Sequence, residues 1–211
     1  MKLIVANAEQ SRQGLRDTAY VILPDSEDEI IRAAKRMNIP DLRKGNLIVV
    51  SADPNPLQKA LQYIPTVGVD LLELDLLAYQ FGDFSERQRR EYVALLTDRK
   101  ALTLKDLINF AYDVVAGKYE IWYGVYNCEV AGRKFAKQTA PALASKNLDK
   151  LYLTKLGNEL LVAGGKMTGV GFITNFSERF EPKYNGDNLS NLLSIYTPSE
   201  MKSRLNEPHL H

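Results

Sequence analysis

Histidine is nearly missing from this 211-residue chain: the only two, His209 and His211, stand among its last three residues. The usual general base and most metal-site patterns are thereby removed from the body of the protein. Cysteine is scarcer still, because Cys128 stands alone and no disulfide can close within the chain. A lone cysteine in apolar surroundings with no base near it is a small core residue rather than a nucleophile. An excess of one charge is also lacking, with 27 Lys and Arg against 26 Asp and Glu, so the whole-chain field selects neither nucleic acid nor a basic partner. No window approaches the roughly 18 uninterrupted apolar residues of a membrane span, and the apolar run in the opening MKLIVANAEQ is too short for a signal peptide. These absences make cytoplasm the expected compartment, with no membrane contact, no metal and no cofactor.

What remains is ordinary globular composition, 45% hydrophobic and 25% charged, long enough for one large domain or two to three small ones. The chain is organised around the run from Val69 to Gly117, which has the pattern of three consecutive helices joined by short breaks. Gly82 followed by Asp83 closes the first, because glycine enters the left-handed conformation that ends a helix at no steric cost. Ser85 with Gln88 forms a capping box for the second, and Thr103 with Asp106 a similar one for the third, which Gly117 closes. Leu71, Leu72, Leu74, Leu76 and Leu77 make the first helix apolar nearly all round, so it is buried on more than one side. Leu104, Leu107, Ile108, Ala111, Val114 and Val115 recur at helical spacing in the third.

Before this run, Lys2 to Ala6 and Ala19 to Leu23 are apolar strands joined by a polar connection over Gln10 to Asp17. Ser26 with Glu29 caps a helix running to about Met37, whose Ile30, Ile31, Ala34 and Met37 form one stripe. Asn46 to Ser51 is a third strand, ended by Asp53-Pro54-Asn55-Pro56 and followed by a short helix, Leu57 to Tyr63. This β-β-α-β unit, a helix on a mainly antiparallel sheet, ends near Pro65. After Gly117, Tyr119 to Tyr126 is an aromatic strand or loop interrupted by Gly124. Gly132 to Ser145 is polar and basic with a break at Pro141, and Leu148 to Val162 is a helix interrupted near Gly157. Gly164-Gly165 is a turn, Val170 to Ile173 a strand, and Tyr184-Asn185-Gly186-Asp187 another turn; Thr197, Pro198 and Glu200 cap a last helix. The expected class is α+β, in three units: a sheet with helix over 1–66, a helical unit over 67–117 and a small α/β unit over 118–211.

No nucleotide-binding loop is completed, since Met167 follows Lys166 where Ser or Thr is needed, and Thr174 stands where a dinucleotide fingerprint needs its third glycine. Asp70, Glu73 and Asp75 suggest paired carboxylates, but only Asp70 and Glu73 are three-apart neighbours, and a solvated strip explains them better. With Asp83 and Glu86 they would also form an acidic surface for a partner. Arg133, Lys134, Lys137, Lys146, Lys150 and Lys155 lie within 23 residues beside Phe135 and Tyr152, opposed only by Asp149. That is a candidate phosphate-binding patch, although charge runs commonly serve solubility.

The opening VANAE, then TAYVILPDSEDEI, LLELDLLAYQF, ERQRREYVALL and LTLKDLINFAYD together resemble, in order and spacing, the ArdA-type antirestriction proteins of plasmids and conjugative elements. The likeness covers about residues 1 to 115. It implies a non-enzymatic protein of small α/β, helical and α/β units, often a homodimer, whose acidic surface imitates DNA and occupies the DNA site of type I restriction-modification enzymes. A chain of one net positive charge confines such mimicry to one face, around Asp70, Glu73, Asp75, Asp83 and Glu86. The alternative is a nucleic-acid-binding accessory protein of a conjugative element that uses the basic stretch from Arg133 to Lys155.

Overall fold

The computed structural model describes residues 1–14, 18–25, 27–39, 47–52, 61, 67–97, 103–144 and 148–193. The protein is α+β, and its described residues pack into two compact units. The first draws on Met1–Arg89, Arg99–Tyr112 and Pro182–His211, the second on Arg90–Asp98 and Asp113–Glu181. No described helix is long and apolar enough to cross a membrane.

In the first unit an antiparallel sheet has the order β2-β1-β3-β4, with β1 at Lys2–Asn7, β2 at Thr18–Ile22, β3 at Leu47–Ala52 and β4 at Val67–Val69. Alternation decides which face is buried. Leu3 and Val5 of β1 and Ala19 and Val21 of β2 turn inward, while Lys2, Ile4, Thr18, Tyr20 and Ile22 face out. Helix α2 (Glu27–Arg36) contributes the buried Ile30, Ala33 and Ala34, and Met37 just beyond it is also buried. Within the connection expected to be merely polar, Ala8–Arg12 forms a short helix, α1. Its cap is the buried Asn7, whose Oδ1 accepts from the Glu9 and Gln10 N–H groups at 2.9 and 3.3 Å. The Asn7 amide donates to the Met37 carbonyl at 3.2 Å, so one side chain starts α1 and satisfies the end of α2.

Val69 does not begin the central helices, because Val67–Val69 pairs with β3 and α3 starts after Asp70, over Leu71–Asp83. As its leucines require, α3 is buried nearly throughout. It also runs through Gly82, which keeps a helical conformation, so the expected glycine stop is not used and the chain leaves at Phe84. Both capping boxes form. Ser85 N–H donates to Gln88 Oε1 at 2.8 Å ahead of α4 (Glu86–Thr97), and Thr103 N–H donates to Asp106 Oδ2 at 2.7 Å ahead of α5 (Leu104–Val115). Gly117 ends α5's turn at φ +66°, where an alanine would be strained.

The second unit contains β5 (Ile121–Tyr123), α6 (Cys128–Thr139), α7 (Pro141–Ala144), α8 (Lys150–Val162) and the hairpin β6 (Lys166–Thr168) and β7 (Gly171–Ile173). Its sheet is antiparallel with order β5-β7-β6, and Phe172 lies opposite both Trp122 and Met167. Trp122, Val125, Ala131 and Phe172 form the core, with Phe135, Leu160, Leu161 and Met167 against it. Two expectations change here. The basic run after Gly132 lies largely in a regular helix, and α8 is not interrupted at Gly157. A Cβ on Gly157 would lie 1.9 Å from the Cys128 carbonyl oxygen, and one on Gly132 would lie 2.0 Å from that of Leu153. The two glycines therefore mark where α6 and α8, running antiparallel, touch backbone to backbone. The final described helix is α9, Leu189–Leu193. Ser26, residues 53–56, residues 57–63 other than Leu61, Lys146 and the cap at 197–200 lie outside the described residues.

Candidate functional site

The carboxylates expected to share one face separate into three places. Asp70 is the N-cap of α3, its Oδ1 accepting from the Leu72 N–H at 2.8 Å, which suits a negative charge at the positive end of a helix. Glu73, one turn on, accepts a short hydrogen bond from the hydroxyl of Tyr184. Tyr184 is buried and fixed by a reciprocal pair: its N–H donates to Asn109 Oδ1 and the Asn109 amide donates to its carbonyl, both at 2.8 Å. Burial, the bond to Glu73 and the charges of Glu73, Asp70 and Asp187 push the phenol's pKa well up. The group stays protonated and acts as a donor, not as a base. Asp187 was not foreseen at this place, since more than a hundred residues separate it from Asp70 and only its turn was visible. That turn forms, with Asn185 Oδ1 accepting from the Asp187 and Asn188 N–H groups at 2.9 and 3.1 Å.

Asp75 is a correction. It is 3% exposed and therefore belongs to no solvated strip or acidic face. Its Oδ1 accepts from the Asp25 N–H at 2.9 Å, and burial pushes its carboxyl up to about 7, against that hydrogen bond and with help from the charge of Asp25. Asp83 and Glu86 are exposed and flank the Ser85 cap, roughly 20 Å of helix from Asp70 at 1.5 Å per residue. Asp70, Glu73 and Asp187 thus form one acidic cluster around Tyr184, and Asp83 with Glu86 a smaller one. Removing the hydroxyl in Tyr184→Phe is expected to cost about 1.5 to 3 kcal/mol, the range for a hydrogen bond to a charged group. Urea denaturation measures it, and an unchanged midpoint would mean that the Glu73 contact contributes nothing.

The basic residues divide as well. Lys134 lies over the indole of Trp122, 5.3 Å from the ring centroid, and so covers the core. Arg133 meets Glu129 at 3.1 Å, and Lys150, from the start of α8, meets the same carboxylate at 3.5 Å. Lys137 and Lys155 are exposed, with no ion-pair partner among the described residues. Cys128, the first residue of α6, is half-buried. Among the described residues no group of three or more His, Cys, Asp or Glu is placed to hold a metal ion. The arrangement offers fixed carboxylates around Tyr184 and exposed cations on α6 and α8 that can bind partners by charge. No protein-family model and no curated protein matches this sequence.

Proposed function

We propose that the protein is a non-enzymatic, antirestriction-like protein of a mobile genetic element that binds a DNA-handling enzyme of the type I restriction-modification class by partial DNA mimicry. The observation that carries this reading is the cluster of Asp70, Glu73 and Asp187, which fixed backbone and a buried phenol hold on one patch of the first unit. Carboxylates held in place can occupy positions where a DNA-binding surface expects phosphates, without the entropy cost of ordering mobile side chains. The likeness to ArdA-type proteins adds support, because three of the segments that carry it, LLELDLLAYQF, ERQRREYVALL and LTLKDLINFAYD, correspond to the helices α3, α4 and α5. Mimicry here is local: Asp75 is no part of it, and Asp83 and Glu86 extend it only as a second, separate patch.

The test is protection of unmodified DNA from a type I restriction enzyme by the purified chain. Protection is expected, and the double variant Asp187→Lys/Asp83→Lys should need on the order of tenfold more protein or beyond, since one such factor is about 1.4 kcal/mol and a reversed charge at an interface costs at least that. Both positions are exposed, so the variant should fold. Absence of protection against several such enzymes would overturn the proposal.

A further inference from the structure

Along an antiparallel pair, residues whose N–H and C=O both point at the neighbouring strand alternate with residues whose groups both point away. The Leu23 N–H donates to the Met1 carbonyl at 2.7 Å and the Met1 nitrogen donates back to the Leu23 carbonyl, which fixes the phase between β1 and β2. Counting back by two, Val21 and Ala19 also bond inward, to Leu3 and Val5. Thr18, Tyr20 and Ile22 therefore turn their N–H and C=O groups to the far side of β2. That strand is the edge of the sheet, and no described residue bonds to its far side. Natural edges are commonly blunted by a charge, a proline or a bulge. Thr18–Ile22 has none of these, and its residues favour strands. On the face turned away from α2, Ile4, Tyr20 and Ile22 stay 37, 57 and 49% exposed.

We propose that this edge is the interface of a homodimer, in which β2 pairs antiparallel with β2 of a second copy about a two-fold axis at Tyr20. With Tyr20 opposite the partner's Tyr20, Thr18 falls opposite the partner's Ile22, and the outward groups of all three residues are satisfied. Ala19 then lies opposite the partner's Val21, a small side chain against a larger one. Charge complementarity selects a second copy over an unrelated strand. Helix α2 packs against β2, so an axis perpendicular to the sheet brings α2 and its mate to one face, running in opposite directions. Asp28 and Glu29 lie near the start of α2 and Lys35 and Arg36 at its end, with Arg32 between them meeting Glu29 at 2.8 Å. At about 100° per residue, Asp28 and Lys35 fall on one flank of the buried stripe and Glu29 and Arg36 on the other. Whichever flank turns to the axis, acids at the start of one helix meet bases at the end of the other. Lys2, the one charge among the described outward residues of β1 and β2, lies a strand away, opposite Ile22. The interface rests neither on the acidic cluster nor on the antirestriction reading.

Sedimentation equilibrium of the full chain between about 1 and 100 μM reports the mass. Twice the mass of one chain is expected at the upper end. Tyr20→Lys sets two cations at the axis and should raise the dissociation constant on the order of 10²-fold. Its side chain is exposed, so the core is untouched, and circular dichroism confirms that each variant is folded. Oxidation in a Cys128→Ser background tests the register. Tyr20→Cys puts thiols on residues about 5.5 Å apart and should cross-link, whereas Ile4→Cys, one strand in on each side, leaves about 14 Å and should not. Asp28→Lys/Glu29→Lys and Lys35→Glu/Arg36→Glu should each associate on the order of tenfold more weakly. An equimolar mixture of the two should recover the parent's affinity, because a helix with two basic ends then faces one with two acidic ends. Damage to the fold would not produce that recovery. A single-chain mass throughout, which would leave the edge to a strand of another protein, would overturn the proposal. So would open assemblies larger than two chains, unchanged association of Tyr20→Lys, equal cross-linking of Ile4→Cys, or no recovery in the mixture.

Discussion

Gly157→Ala is expected to lower the unfolding free energy by about 3 kcal/mol, the upper part of the range for overpacking a well-packed site. An isolated helix would gain about 1 kcal/mol from the same change, so sign alone distinguishes tertiary contact from helix propensity. The reason is what the new methyl meets: the carbonyl oxygen, carbonyl carbon and Cα of Cys128 at 1.9, 2.5 and 2.6 Å, all backbone. No side chain can rotate away, so the helices must part along their length. Gly132→Ala meets the Leu153 carbonyl in the same way, and because the two sites share one contact, their costs should not add. Trp122, the only tryptophan, packs on Ala131 of α6 and reports the separation directly. Gly169→Ala is the control, since nothing lies within 4 Å of its Cβ and its φ is ordinary. Equal stability of Gly157→Ala and the parent would mean that α6 and α8 are not in backbone contact.

The central helices were legible because their signals are local. Ser85 with Gln88 and Thr103 with Asp106 are three residues apart, and the leucines of α3 mark burial without reference to anything distant. Helix α6 was hidden for the opposite reason. Its inward face is Ala131, Gly132 and Ala136, small residues that make a close partner possible and show almost no apolar periodicity. Two local signs were available: Asn127, whose Oδ1 accepts from the Val130 N–H at 2.9 Å, and the Glu129–Arg133 spacing of four. Gly157 suggested a break when viewed alone, because its reason lies 29 positions earlier, at Cys128. The same limit applies to the acidic cluster. Asp70 and Glu73 are neighbours in any helix-start reading, whereas Asp187 joins them only through Tyr184, Asn109 and the packing of α5.

Asp75→Asn is expected to make the protein more stable at pH 8 and nearly unchanged at pH 4. In the unfolded chain this carboxyl ionises near its ordinary 3.8, whereas in the folded protein burial holds it up at about 7. Below about pH 4 it is protonated in both states and its titration costs nothing. Between pH 4 and 7 the folded protein binds more protons than the unfolded chain, so stability falls as pH rises, and above about 7 the loss is complete. A difference of about three pKa units corresponds to about 4 kcal/mol, by the factor of 1.36 kcal/mol per unit. Asparagine keeps an Oδ1 for the Asp25 N–H and carries no charge, so the difference between the two proteins isolates this group from every other titrating carboxylate. Urea denaturation at pH 4, 6 and 8 measures that difference; curves that stay parallel would mean the side chain is not buried. Asp75→Ala, in contrast, removes the acceptor that Asp75 offers the Asp25 N–H and should lose about 1 to 3 kcal/mol even at pH 4. Reversing Asp75 to lysine would place a cation in the core, so any loss of DNA protection would report unfolding and not the loss of an imitated phosphate. The carboxylates that can test mimicry are the exposed ones, with Asp187 first among them.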